Sequence, residues 1–153
     1  MRAFQDQGLI KAVGMRGPHR FATDCLTVPK DQREDKYARF RSLFSRIRPS
    51  YLAVRFNALT PPPPPGHDDI FAFAAAHEAS VLINKPLAQG LLTPQALAII
   101  HDGLQPMRAR FGASPADLAP VMLSYCLHRA SNAAVLAGFT TPAQVTQNLT
   151  PAR

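Results

Sequence analysis

Little in this chain suits a secreted or membrane-embedded protein. Its 153 residues include only two cysteines, Cys25 and Cys126. That is too few for a disulfide framework, and the two do not have metal-ligand spacing. Such usage predicts a reducing compartment, and so a cytoplasmic location. No apolar stretch approaches the ~20 residues that a membrane-spanning helix requires. The first residues, Met-Arg-Ala-Phe-Gln-Asp-Gln-Gly, lack the uninterrupted apolar core of a secretion signal. Acids are scarce, 10 against 17 lysines and arginines, which leaves a formal charge of +7. Charged residues make up 18% and hydrophobic residues 46%. That balance excludes an intrinsically disordered chain and is enough to fill one core. The expectation is one soluble domain spanning 1–153.

The positive charge is unevenly placed. Residues 1–60 carry 12 lysines and arginines against 5 acids, whereas residues 61–153 carry 5 against 5. A basic block is one footprint of nucleic-acid or membrane-surface contact. Its densest part, Lys36, Arg39, Arg41, Arg46 and Arg48, is interleaved with Tyr37, Phe40, Phe44 and Ile47. These apolar residues step by three, four and three, which is one face of a helix. The preferred reading is an amphipathic helix with a basic, solvated outer face. Neither an RNA-binding sheet signature nor a zinc finger supports a nucleic-acid partner. His19, His67, His77, His101 and His128 show no i, i+4 pairing, so no metal site is expected.

Along the chain, short apolar runs that end in turn residues alternate with helical patterns. The first run is Leu9–Gly14. A helix over about Asp31–Arg48 leads to Pro49 and a second run, Tyr51–Phe56. Thr60, Pro61 to Pro65 and Gly66 form a proline-rich loop over 60–67, since proline supplies no backbone donor. Asp68 or Asp69 caps a helix that carries Ile70, Phe71 and Ala74 inward. The third run is Val81–Asn84. Thr93-Pro94 looks like a helix start, Pro106 a break, and Ser114-Pro115-Ala116-Asp117 a better start. Leu118, Val121, Met122 and Tyr125 then mark a buried face, with Cys126 beside it. The fourth run is Ala134–Gly138. Thr141-Pro142-Ala143-Gln144 follows as a capping box, its glutamine reaching back to the cap's N–H. Such largely apolar strands, joined by helical crossovers, predict an α/β fold with a parallel sheet.

Four of these stretches, in order, resemble the C-terminal half of the aldo/keto reductase family. Gln7–Gly14 resembles that family's Gly-Lys-Ile-Arg-Ala-Ile-Gly, and Val54–Leu59 its Val-Glu-Tyr-Asn-Pro-Leu. Pro86-Leu87-Ala88-Gln89-Gly90-Leu91-Leu92 follows its Pro-Leu-(Ala/Gly)-Gln-Gly-Leu-Leu almost letter for letter. Gly138–Leu149 resembles its Gly-x-Ser-Ser-Pro-Glu-Gln-Val-x-Glu-Asn-Leu. The resemblance implies parallel (β/α) units of a TIM barrel, about four of the usual eight, as a half barrel. It also implies an oxidoreductase fragment, with carbonyl reduction by hydride transfer as the full family's chemistry.

Read through the resemblance, the cofactor is NADP or NAD. Lys85, Pro86, Leu87, Gln89, Gly90 and Leu91 would line the pyrophosphate path. Gly138, Thr140, Thr141, Gln144 and Asn148 would stand at the adenosine end. Loops and helix N-termini at the ends of parallel strands do offer N–H groups to anions. The same loops also read as plain turns capped by proline and threonine, and only the order of all four stretches favours an inherited site. Several positions depart from the family. Arg16-Gly17 stands where Ser-Asn is usual, Ala53 replaces a glutamine, and Asn84 replaces an aromatic. Gly138 and Gln144 stand where basic residues read the ribose 2′-phosphate.

No catalytic residue is expected. The family's aspartate, tyrosine, lysine and histidine belong to its first four strands. Tyr37, Tyr51 and Tyr125 are preceded at five residues by Gln32, Arg46 and Pro120, not by an aspartate. The isolated chain is therefore expected to be inactive. The alternative reading is a non-catalytic half-barrel binding or scaffold protein. The partners implied are the nicotinamide dinucleotide and either a second copy of this chain or a separate N-terminal half.

Overall fold

The computed structural model describes residues 2–17, 36–58, 60, 69–90 and 115–149. Its elements are helix α1 (Arg2–Asp6), strand β1 (Gly14–Arg16), helix α2 (Lys36–Ile47) and strand β2 (Tyr51–Arg55). Helix α3 (Ile70–Ala76), strand β3 (Ser80–Asn84) and a 3₁₀ turn (Ala88–Gly90) follow. Helix α4 (Pro115–Leu127), strand β4 (Ala133–Val135) and helix α5 (Pro142–Leu149) complete the series. The four strands form one parallel sheet in the order β1-β2-β3-β4, as an α/β fold with successive crossovers demands. Gly14, Met15 and Arg16 pair with Tyr51, Leu52 and Ala53. Two compact units divide the chain: Met1–Val54 with Pro62–Leu82, and Arg55–Pro61 with Ile83–Arg153.

In the first unit, aromatic residues build the core. Phe40 and Phe44 of α2, one helical turn apart, lie 6.0 Å from each other between ring centroids. Phe73 of α3 meets them at 5.4 and 5.0 Å. His77 stacks on Phe73 at 4.3 Å, and its Nδ1–H donates to the Phe73 carbonyl at 2.8 Å. The arginines Arg39, Arg41 and Arg46 are exposed on the opposite face of α2, as its period requires. Asp69 caps α3: its carboxylate accepts the Phe71 N–H at 2.8 Å. Phe71 and Ala74 are buried behind it. Along β2, Leu52 and Val54 are buried and Ala53 is half-buried.

In the second unit, Met122 of α4 packs against Ala58, Leu87, Ala88 and Val121. Leu123 and Cys126 are buried beside it, and the Cys126 thiol lies 3.9 Å from the Phe56 carbonyl. Pro120 interrupts the donor ladder inside α4 and is itself buried.

Several expectations are corrected. The first strand is Gly14–Arg16, not Leu9–Gly14; Leu9 is 67% exposed and only Val13 of that run is buried. Leu9 N–H and Ile10 N–H both bond to the Phe4 carbonyl, so these residues close α1 rather than enter the sheet. The fourth strand is Ala133–Val135, and Gly138 lies beyond it. On α4 the buried stripe runs through Met122, Leu123 and Cys126, while Tyr125 is 47% exposed. The inward face is thus rotated by about one position, because Tyr125 lies flat against Phe56 at its rim.

Cys25, His19, His67, His101, Asp68, Leu91 and the helix starts at Thr93 and Ser114 lie outside the described residues, as does the proline run. No helix among the described residues is long and apolar enough to cross a membrane.

Candidate functional site

In an α/β sheet, chemistry gathers where the strands end at their carboxyl edge. Beyond β2 the chain runs through Arg55, Phe56 and Asn57. Asn57 is a buried polar residue, 6% exposed, and a buried amide must be bonded to be tolerated. Its Nδ2 donates to the Lys85 carbonyl at 3.1 Å. Its backbone N–H donates to Thr60 Oγ1 at 2.9 Å, and Thr60 N–H returns to the Asn57 carbonyl at 2.9 Å. Asn57 therefore closes its own turn and reaches across to the loop that follows β3.

That second loop is conformationally unusual. Lys85, Ala88 and Gln89 all have positive φ, at 57°, 50° and 62°, and Gly90 follows at 94°. A left-handed backbone costs about 1–3 kcal/mol at each residue other than glycine, so surrounding bonds must hold it. Ala88 N–H bonds to the Lys85 carbonyl and Gly90 N–H to the Leu87 carbonyl, each at 3.0 Å. Pro86 is buried and Leu87 packs on Met122. The Arg55 guanidinium donates to Gln89 Oε1 across 34 residues of sequence. Lys85 and Gln89 are otherwise exposed. The loop thus presents one lysine and a tight, pinned backbone, with the β2 arginine bonded to it.

After β4, Leu136 N–H bonds to the Ile83 carbonyl at 2.8 Å, and the chain passes Gly138 to α5. Thr141 caps α5, its Oγ1 accepting the Gln144 N–H at 3.3 Å. The expected reciprocal bond differs by one residue. Gln144 Oε1 accepts from Thr140, at its N–H (2.8 Å) and its hydroxyl (3.1 Å), rather than from the cap's own N–H. Asn148 Nδ2 donates to the Gln144 carbonyl at 2.7 Å, and its Oδ1 is buried with no partner. Gly138, Thr140, Thr141 and Gln144 are exposed.

Ten of the eleven residues expected at a cofactor therefore fall in two segments of the second unit, the Lys85–Gly90 loop after β3 and Gly138–Asn148 after β4, whose last part is helix α5. Leu91 lies outside the described residues. Sequence reasoning missed Arg55 and Asn57 as parts of the first loop. A strand followed by a polar residue in an apolar setting signals Asn57, but nothing local signals the pairing of Arg55 with Gln89. It also missed the aromatic rim: Phe56 and Tyr125 stack at 5.7 Å and 14°, with Arg129 5.8 Å from the Phe56 ring centroid. Burial raises the Cys126 thiol pKa to about 11, so it stays protonated and takes no part as a nucleophile. Among the described residues, no group of three or more His, Cys, Asp or Glu is placed to hold a metal.

No protein-family model matches this chain, and no curated protein matches it. Among solved structures, it resembles a thermostable aldo-keto reductase determined in complex with the inhibitor epalrestat. The two superpose with a TM-score of 0.61 at 17% sequence identity. The match covers 99% of this chain and 46% of that one, so this chain spans less than half of that structure's length. At such identity the likeness is one of fold: this chain has an aldo/keto reductase-like α/β fold.

Proposed function

We propose that this chain is the cofactor-side half of an aldo/keto reductase-type oxidoreductase, binding a nicotinamide dinucleotide without reducing carbonyls by itself. The observation that carries this reading is the Lys85–Gly90 loop. It bears the Pro-Leu-Ala-Gln-Gly run, holds four left-handed residues and sets two cations beside a tightly fixed backbone. The residues present fit the cofactor. Arg55 and Lys85 match the charge of a pyrophosphate. The buried, unpartnered Asn148 Oδ1 is an acceptor that an adenine amino group would satisfy.

When bound, the nicotinamide supplies the hydride of carbonyl reduction. The chain's own residues bind and orient. Gln89 holds the Arg55 guanidinium, and Asn57 holds the Lys85 carbonyl. Gly138 and Gln144, both uncharged, provide no cation for a 2′-phosphate, so NADH and NADPH should bind alike. None of Tyr37, Tyr51 and Tyr125 follows an aspartate at five residues, as the family's proton donor does. General acid catalysis is worth roughly 10²–10⁴-fold, and substrate positioning would be lost as well.

Calorimetry with both cofactors tests the binding, with weak and nearly equal affinities expected. Absence of binding overturns the proposal, and submicromolar, NADPH-selective binding overturns the assignment of the last loop. Oxidation of either cofactor with aldehydes and quinones should not exceed the buffer blank. Turnover that disappears in Gln89→Ala would show that the chain is catalytic after all.

A further inference from the structure

We propose, on the reading that the Lys85–Gly90 loop holds a dinucleotide, that the open face of Tyr125 stacks on its nicotinamide ring. Tyr125, the residues that fix it and the loop all belong to the second unit.

Tyr125 is held on one side and open on the other. Its ring lies nearly parallel to that of Phe56, at 14° and 5.7 Å between centroids, which is an offset stack. Phe56 is buried, so the exposure of Tyr125 belongs to its remaining face and edge. Phe56 is itself fixed. Arg129 brings its guanidinium carbon to 5.8 Å from the ring centroid, and the Cys126 thiol lies 3.9 Å from the Phe56 carbonyl. A single exposed aromatic side chain is ordinary on a protein surface. One clamped against a buried ring has already lost its rotamer freedom, so stacking a ligand on it costs little further ordering entropy. Among the described phenylalanine and tyrosine rings of this unit, Phe56 is buried, Phe139 is half-buried and only Tyr125 is exposed.

The position of this ring suits a ligand held by the loop. Met122, three residues before Tyr125 on α4, packs against Leu87 and Ala88. Residues three apart on a helix lie on one face, with Cβ atoms about 5–6 Å apart. Tyr125 therefore stands one helical turn from a side chain that touches the loop. A dinucleotide has a matching span, since a single ribose joins its nicotinamide to the pyrophosphate. The segment Gly138–Asn148 is assigned to the adenosine end, which leaves the nicotinamide for Tyr125. Ring chemistry agrees with this placement. A pyridine ring bearing an amide is electron-poor and the phenol ring is electron-rich, a pairing that favours stacking. In the oxidised cofactor the ring is cationic, and the face of a tyrosine attracts cations as well.

Calorimetry with NADH and with ADP-ribose, which lacks the nicotinamide ring, tests the assignment. Loss of a stacking aromatic weakens binding of a base by at least about fivefold, so Tyr125→Ala should weaken NADH by that factor or more. ADP-ribose should bind Tyr125→Ala and the unaltered chain alike. Tyr125→Phe should keep the NADH affinity, and Tyr125→Leu, apolar but without a π face, should lose it. Equal NADH affinity in Tyr125→Ala and the unaltered chain overturns the inference and leaves the cofactor reading standing. So does an equal loss of ADP-ribose, which would make Tyr125 a support of the loop rather than a partner of the ring. If the unaltered chain binds neither NADH nor ADP-ribose, the cofactor reading itself fails, and the role of Tyr125 with it.

Discussion

Asn57→Ala tests the connection between β2 and the Lys85–Gly90 loop. The substitution removes the Nδ2 donor that reaches the Lys85 carbonyl at 3.1 Å, from a side chain only 6% exposed. Loss of such a bond costs about 0.5–1.5 kcal/mol, and more where the remaining partner is left unsatisfied. Here the Lys85 carbonyl keeps its bond from Ala88 N–H at 3.0 Å, which limits that penalty. Against this, Lys85 sits at φ 57° and relaxes when its carbonyl is released. A total of about 1–3 kcal/mol is expected. For a chain of this length that lowers the melting temperature by roughly 2–12 °C, at about 2–4 °C per kcal/mol. Thermal unfolding by circular dichroism reads the shift, and hydrogen exchange reads the loop itself. Ala88 and Gly90, whose N–H groups close the loop, should lose protection, and dinucleotide affinity should fall at least about fivefold. An unchanged melting temperature with unchanged exchange at both amides would refute the role given to Asn57.

Other perturbations have definite outcomes. With a pKa near 11 in place of 9.0, Cys126 should alkylate about 100-fold more slowly than a free thiol at pH 8; iodoacetamide labelling with peptide mapping in a Cys25→Ser background checks this. The unfolded thiol ionises first, so the stability contributed by Cys126 is intact below pH 9 and is lost as pH rises toward 11, visible in denaturant midpoints. Asp69→Ala removes the α3 cap and should cost about 1 kcal/mol, a shift of roughly 2–4 °C in melting temperature. Arg55→Gln should weaken NADH and NADPH to the same degree in calorimetry; selective loss of one would contradict a pyrophosphate contact.

The sequence was most legible where local rules decide. Asp69 caps α3 because a carboxylate two residues before Phe71 can reach its N–H, and that relation needs no tertiary information. Thr141-Pro142 starts α5 for the same reason. The apolar runs at Tyr51 and Val81 became strands because each lies next to a second strand with matching burial. Leu9–Val13 has the same composition but closes α1 through Phe4, and only tertiary context distinguishes the two. Gln144 was placed correctly on its helix but bonded one residue further back, since the side chain is long enough to choose Thr140 over Thr141. The exposed rim at Tyr125 depends on where Phe56 arrives, 69 residues earlier. Arg55 and Gln89 meet only because β2 and β3 are neighbours, a fact that no window of sequence contains.

The uncharged stretch from Ala130 to Ala152 has a consequence for temperature and salt. A surface without ionisable groups gains nothing from Coulombic attraction, so association through it rests on removing apolar area from water. That driving force is entropic near room temperature, weakens on cooling and is strengthened by sulfate. Contacts made by the arginines of α2 respond in the opposite sense, fading as added salt screens them. Cold should therefore weaken any apolar contact made through this stretch, and sulfate should strengthen it.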